Sequence, residues 1–100
     1  MKKYLLGVGV VQDLDDVWTY IAQDNIDAAD RWIEKLFDAF EAIGKVPGIG
    51  HKREDLTHYP VLFWPVGSYL IVYRAERGSV EILAVTQGAR DIPAFLRQRA

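Results

Sequence analysis

One hundred residues, half of them apolar, are enough for a single domain with a substantial core, and no second domain is expected. The lack of cysteine excludes disulfides and thiolate metal sites, and no apolar run approaches the length of a membrane span. The net charge of −2 is uneven: residues 1–44 carry nine acids against four bases (−5), while residues 45–100 carry five acids against eight bases (+3), too small an excess to argue nucleic-acid binding by this chain alone.

Lys2 and Lys3 precede the apolar run Tyr4 to Val11, which superficially imitates a signal peptide. The run is short, lacks a convincing small-residue cleavage site and leads into an acidic helix, so it reads as a first strand, Lys3 to Val10, of a cytoplasmic protein. Gly7 and Gly9 weaken that strand and mark a bulge or a close backbone approach. From Asp13 the period changes: Leu14, Val17, Trp18 and Ile21 fall at helical spacing, with Asp13, Asp15 and Asp16 crowding the first turn where the dipole favours acids. This helix is expected to end near Gln23. After a short turn in which Asn25 or Asp27 can cap, a second helix is expected from about Ala28 to Ile43, with Ala29, Trp32, Ile33, Leu36, Phe40 and Ile43 on one stripe. The short turn makes the two an antiparallel hairpin, which Gly44 should close and Pro47 prevent from resuming.

Residues 47–60 have no period and the composition of a surface loop. Val61 to Val66 alternates as a strand, placed at an edge because Pro65 removes a ladder donor. Tyr69 to Glu76 and Ser79 to Thr86 are rich in β-branched and aromatic residues, and Arg77-Gly78 between them suits a two-residue turn. One-for-one pairing across that turn sets Ala75 against Val80, Tyr73 against Ile82 and Ile71 against Ala84 on an apolar core face. The opposite face then carries Leu70, Val72, Leu83 and Val85 around an Arg74–Glu81 pair, too apolar to be left in water and beyond the reach of a helical hairpin that covers only one side. Arg90 to Pro93 starts a last helical turn capped by Asp91, with Phe95 and Leu96 inward and Arg97 and Arg99 outward. The expected class is α+β, in the order β-α-α-β-β-β: a helical hairpin on one face of a small, mainly antiparallel sheet, with a short helical tail.

Few residues point to chemistry. His51 and His58 bracket Lys52-Arg53-Glu54-Asp55, but their spacing fits no regular metal motif, and a solvated loop outweighs both a metal site and a phosphate contact through His51-Lys52-Arg53. Most aromatics sit on apolar stripes and read as core rather than as stacking platforms for bases. No nucleophile elbow, phosphate loop or acid–histidine pair is visible, so neither a cofactor nor a metal is expected.

Several segments, taken together and in order, resemble the RelE/ParE superfamily of toxins from type II toxin–antitoxin modules, and its ParE-like branch in particular. They are Asp13-Leu14 through Tyr20 to Asn25, Ala28-Ala29 with Leu36, Pro47 to Leu56, Val66 to Arg74, and Gly88 to Asp91. The resemblance implies a cognate antitoxin and a hetero-oligomer with it. In the ParE-like branch it implies inhibition of DNA gyrase; in the RelE-like branch it implies cleavage of messenger RNA on the ribosome. Ribonuclease chemistry needs a base, an acid and cations for the developing phosphorane charge. Gln87 stands where many relatives carry histidine and cannot transfer a proton at neutral pH, and Arg97 to Ala100 contain no tyrosine or histidine. The expectation is therefore a non-catalytic inhibitor, with no catalytic residues. Leu70, Val72, Arg74, Glu81, Leu83 and Val85 are expected to meet the antitoxin, whose acids would reach Arg74, Arg90 or the Arg97–Arg99 tail. His51, Arg53, Arg74 and Arg90 are the candidates for target or phosphate contact.

Overall fold

The computed structural model describes residues 3–88 and 90–99. Lys2 of the basic start, Ala89 of the Gly88–Asp91 segment and Ala100 of the tail, with Met1, lie outside the described residues. The order is β1 (Tyr4–Leu6), α1 (Val10–Ala22), α2 (Ile26–Lys45), a 3-10 turn (Pro47–Ile49), β2 (Leu62–Val66), β3 (Tyr69–Glu76), β4 (Ser79–Gln87) and α3 (Ile92–Arg99). The four strands form one sheet in the order β1-β4-β3-β2, antiparallel except for β1, which runs parallel to β4. Pro65 lies on the edge strand β2, as a residue without an N–H should.

Both N-terminal elements depart from the sequence expectation: β1 ends at Leu6, and Gly9, with a left-handed φ of +92°, lets α1 begin at Val10 rather than Asp13. Gly9 serves as N-cap with no side-chain hydrogen bond. Asn25 accepts from Ala28 N at 2.9 Å and caps α2, which starts two residues earlier than expected. Nor does Gly44 close α2. The helix continues to Lys45, and a Cβ at Gly44 would come within 3.1–3.3 Å of Lys3, so glycine allows β1 to cross close to the helix.

The helical hairpin covers one sheet face. Its core joins Val10, Leu14, Val17, Leu36, Phe40 and Ile43 to Tyr4, Tyr69, Ile71, Tyr73, Val80, Ile82 and Val85. On the other face a smaller core joins Val61, Phe63, Leu70, Val72 and Ala84 to Ile92 and Leu96 of α3. The C-terminal segment is thus a true helix of eight residues, capped by Asp91 through Ala94 N, and it covers much of the face expected to need a cover from outside.

The hairpin register is the main correction. Ala75↔Val80, Arg74↔Glu81 and Tyr73↔Ile82 pair as expected, but a β-bulge follows and Leu83 has no cross-strand partner. Beyond it Val72 pairs with Ala84 and Ile71 with Val85, one residue out of the counted register. The slip exchanges two side chains between faces: Val85 joins the helix-side core and Ala84 faces α3.

Candidate functional site

Where α3 stops covering the sheet, a groove of about 350 Å³ remains open. Leu83, Arg74 and Glu81 come from the central strands, Gly7 and Val8 from the β1 side, Tyr59, Pro60 and Val61 from the β2 side, and Leu96 and Arg99 from α3. Arg74 Nη2 donates to Glu81 Oε1 at 2.6 Å. Arg74 Nε lies 2.9 Å from Glu76 Oε1 but is not aligned for a hydrogen bond, so that second contact is one of charge.

Arg99 is not an outward tail cation. Its Nη2 meets Asp13 Oδ1 at 2.6 Å, its Nη1 donates to Leu83 O at 3.0 Å, and it lies 5.0 Å over the Phe95 ring. Asp13 is buried, and its second oxygen accepts from Val85 N at 3.0 Å. The physical reason is the length of β1, which pairs with β4 only over Val80 to Ile82 and so leaves the backbone of β4 beyond that point without a strand partner on this side. Asp13 and Arg99 satisfy Val85 N–H and Leu83 C=O there. Gly9 is needed again, since a Cβ would sit 2.8 Å from Arg99 Nη1.

Of the six residues expected to meet a partner, the groove brings together Arg74, Glu81 and Leu83. Leu70 and Val72 are buried beneath the chain's own α3, and Val85 is buried on the helix side. The expected site is therefore smaller at one end. It is also larger at the other, where Val8, Tyr59, Pro60 and Leu96 were not foreseen, while Arg99, expected to meet the partner's acids, is instead paired with Asp13. For Val8 the signal lay in the apolar Tyr4 to Val11 run, once β1 is taken as an edge strand; Tyr59 and Pro60 lie in the aperiodic loop and gave none.

The residues expected to contact a target do not converge. His51 bridges Phe63 through its backbone and stacks against Trp64 with ring centroids 6.2 Å apart. Its loop is pinned by Tyr73, whose hydroxyl donates to Pro47 O at 2.7 Å and accepts from Gly50 N at 2.8 Å. Burial raises the Tyr73 pKa, an effect the Gly50 hydrogen bond opposes. Arg53 is paired with Asp55 at 2.8 Å, a hydrogen-bonded contact that holds the Asp55 carboxyl below its ordinary range. Arg90 stands over Phe95 at the far end of β4 and lines a separate cleft with Asp16, Tyr20, Tyr69 and Gln87. His51 belongs to the level of Phe63, Val72 and Ala84, whereas Gln87 lies three residues further along β4. The offset is roughly 10 Å along the strands and three strand spacings across. Neither His51 nor His58 lines the cleft beside Gln87 and Arg90.

Residues 5–92 match the family model for the ParE toxin of the type II toxin–antitoxin system parDE. The chain belongs to the ParE toxin family. Toxin ParE1 of Caulobacter vibrioides is 32% identical over 97 residues, covering 96% of this chain and 99% of that protein. The protein Y4kP of Sinorhizobium fredii is 30% identical over 83 residues, covering 83% of this toxin and 84% of its relative. Among solved structures, the chromosomal ParDE toxin–antitoxin system from P. aeruginosa superposes with a TM-score of 0.71 at 14% identity, over 87% of this toxin and 96% of that chain. At that identity the superposition speaks for the fold, and the fold is the expected one. Among the described residues of the toxin, no helix is long and apolar enough to cross a membrane.

Proposed function

We propose that this ParE-type toxin arrests growth by binding and inhibiting DNA gyrase rather than by cutting RNA, and that its antitoxin neutralises it by occupying the groove around Leu83. The observation that carries the first half is the corner at Gln87 and Arg90. It offers a guanidinium, two tyrosines, the Asp16 carboxylate and the Asp13 carboxylate already bound to Arg99, but no histidine stands there to move protons between a 2′-hydroxyl and a leaving oxygen. Burial, with the neighbouring Tyr20, raises the Tyr69 pKa, which makes that phenol a poorer base precursor still. Support for the second half is the groove itself, an apolar recess on a sheet face that α3 leaves open.

Induction in a bacterial host tests the target and the neutralisation, and Leu83→Glu, which should escape rescue by the antitoxin, tests the groove. Growth should stop, plasmid negative supercoiling should fall while messenger RNA stays full-length, and co-expressed antitoxin should restore both growth and supercoiling. Early codon-phased cuts in ribosome-bound RNA, with supercoiling unchanged, would instead favour a ribosome-dependent endoribonuclease of the RelE type. The protein would in that case draw on Arg90, Tyr69 and Asp16 for its chemistry.

A further inference from the structure

We propose, building on the reading that the antitoxin fills the groove, that its contact runs past the groove along an aliphatic strip of Leu5, Val8 and Val11, and that the segment seated there is aliphatic and non-acidic. Leu5 pairs with Glu81 in the parallel ladder, so its side chain shares the groove's face of the sheet, and it is 63% exposed. Val8 lines the groove and is 95% exposed, and Val11 follows it into the first turn of α1 at 63%. Three large aliphatic residues this exposed, with Val8 among those that line the apolar recess, form a surface that water disfavours and a partner segment can cover.

Charge decides what kind of segment fits. Both arginines of the groove are already engaged by the toxin's own carboxylates, Arg74 by Glu81 and Glu76 and Arg99 by Asp13. Among the described residues that line the groove, an incoming acid would find no uncommitted cation and would have to displace an ion pair. Where the strip reaches α1, Asp15 is exposed one helical turn beyond Val11 and would repel it further. Apolar side chains meet neither penalty.

The strip is unusually convenient to test, because residues this exposed can be changed without disturbing the core. Purified toxin variants are titrated with the purified cognate antitoxin, with circular dichroism confirming the fold of each. Val8→Glu and Val11→Glu should each weaken binding about tenfold or more, Val8→Lys should weaken it to a similar degree, and Val8→Leu should leave it intact. If Val11→Glu binds like wild type while Leu83→Glu does not, the strip is outside the interface and the inference falls, with the groove reading left standing. Wild-type affinity in both variants sinks the groove reading itself. Tighter binding by Val8→Lys would mean that the segment is acidic and would overturn the charge assignment. Sedimentation gives the last arm: a wild-type dimer that Val8→Glu converts to monomer would assign the strip to a second copy of the toxin, against the proposal.

Discussion

Tyr73 shows how one side chain can serve both core and surface. Its ring is fully buried between sheet and helices, while its hydroxyl ties the carbonyl of Pro47 and the N–H of Gly50, fixing the loop that carries His51, Lys52 and Arg53. Tyr73→Phe keeps the packing and removes both hydrogen bonds, leaving a part-buried N–H and C=O without their partner, for which a loss of about 1–3 kcal/mol is expected. Thermal unfolding measures the loss, and faster hydrogen exchange at Gly50 should accompany it. The same residue sets an alkaline limit. Burial raises the pKa of Tyr73 and of Tyr69 above the ordinary 10.0. Stability from keeping these phenols neutral is fully present below that ordinary value and is lost as pH climbs through the raised folded values. Unfolding midpoints should therefore be unaffected by these two phenols at neutral pH and fall above about pH 10. In Tyr73→Phe that fall should be shallower.

Among the elements, α3 depends most on a single contact. It is short, and its buried residues are Ile92 and Leu96, so the Arg99–Asp13 pair contributes a large share of what holds it against the sheet. Arg99→Gln would leave the Asp13 carboxylate buried and without its cation, a loss of about 2–4 kcal/mol. Hydrogen exchange should quicken across 92–99 and at Leu70 and Val72 beneath, while α2 keeps its protection. Uniform acceleration throughout the chain would show that α3 is part of one cooperative unit instead. The pair also explains where sequence reasoning stopped. Stripes on α1 and α2, the edge position of β2 and the β3–β4 turn were legible because each is set by neighbours in sequence. The bulge was not, since counting back from the turn assumes one-for-one pairing. What makes Leu83 stand out of register is a carboxylate 72 residues away from Val85 and a guanidinium 16 residues beyond Leu83, which take up backbone groups that β1 is too short to reach. Gly9 belongs to the same set: its sequence context suggested a weakened strand, and only the fold reveals that it makes room for Arg99.

At the scale of the whole molecule, the two sheet faces divide the work. The helical hairpin seals one of them and carries most of the acidic excess of residues 1–44, while α3 half-covers the other and leaves the groove. Of the candidate site, Arg74, Glu81 and Leu83 could be read from the hairpin alone, because they lie at or before the bulge. Val72 and Leu70 could not be placed without knowing that Ile92 and Leu96 reach back over them. The groove beside Leu83 and the Gln87–Arg90 corner are lined by different residues, so the proposed antitoxin contact and the corner are separate. Gyrase inhibition without RNA cleavage can be tested in a reconstituted supercoiling reaction. Purified toxin added to DNA gyrase and relaxed plasmid should suppress supercoiling in a dose-dependent way, prior addition of antitoxin should restore it, and messenger RNA on ribosomes incubated with the same toxin should remain uncut. Full supercoiling at an excess of folded toxin, together with cleavage of ribosome-bound messenger RNA, would contradict it.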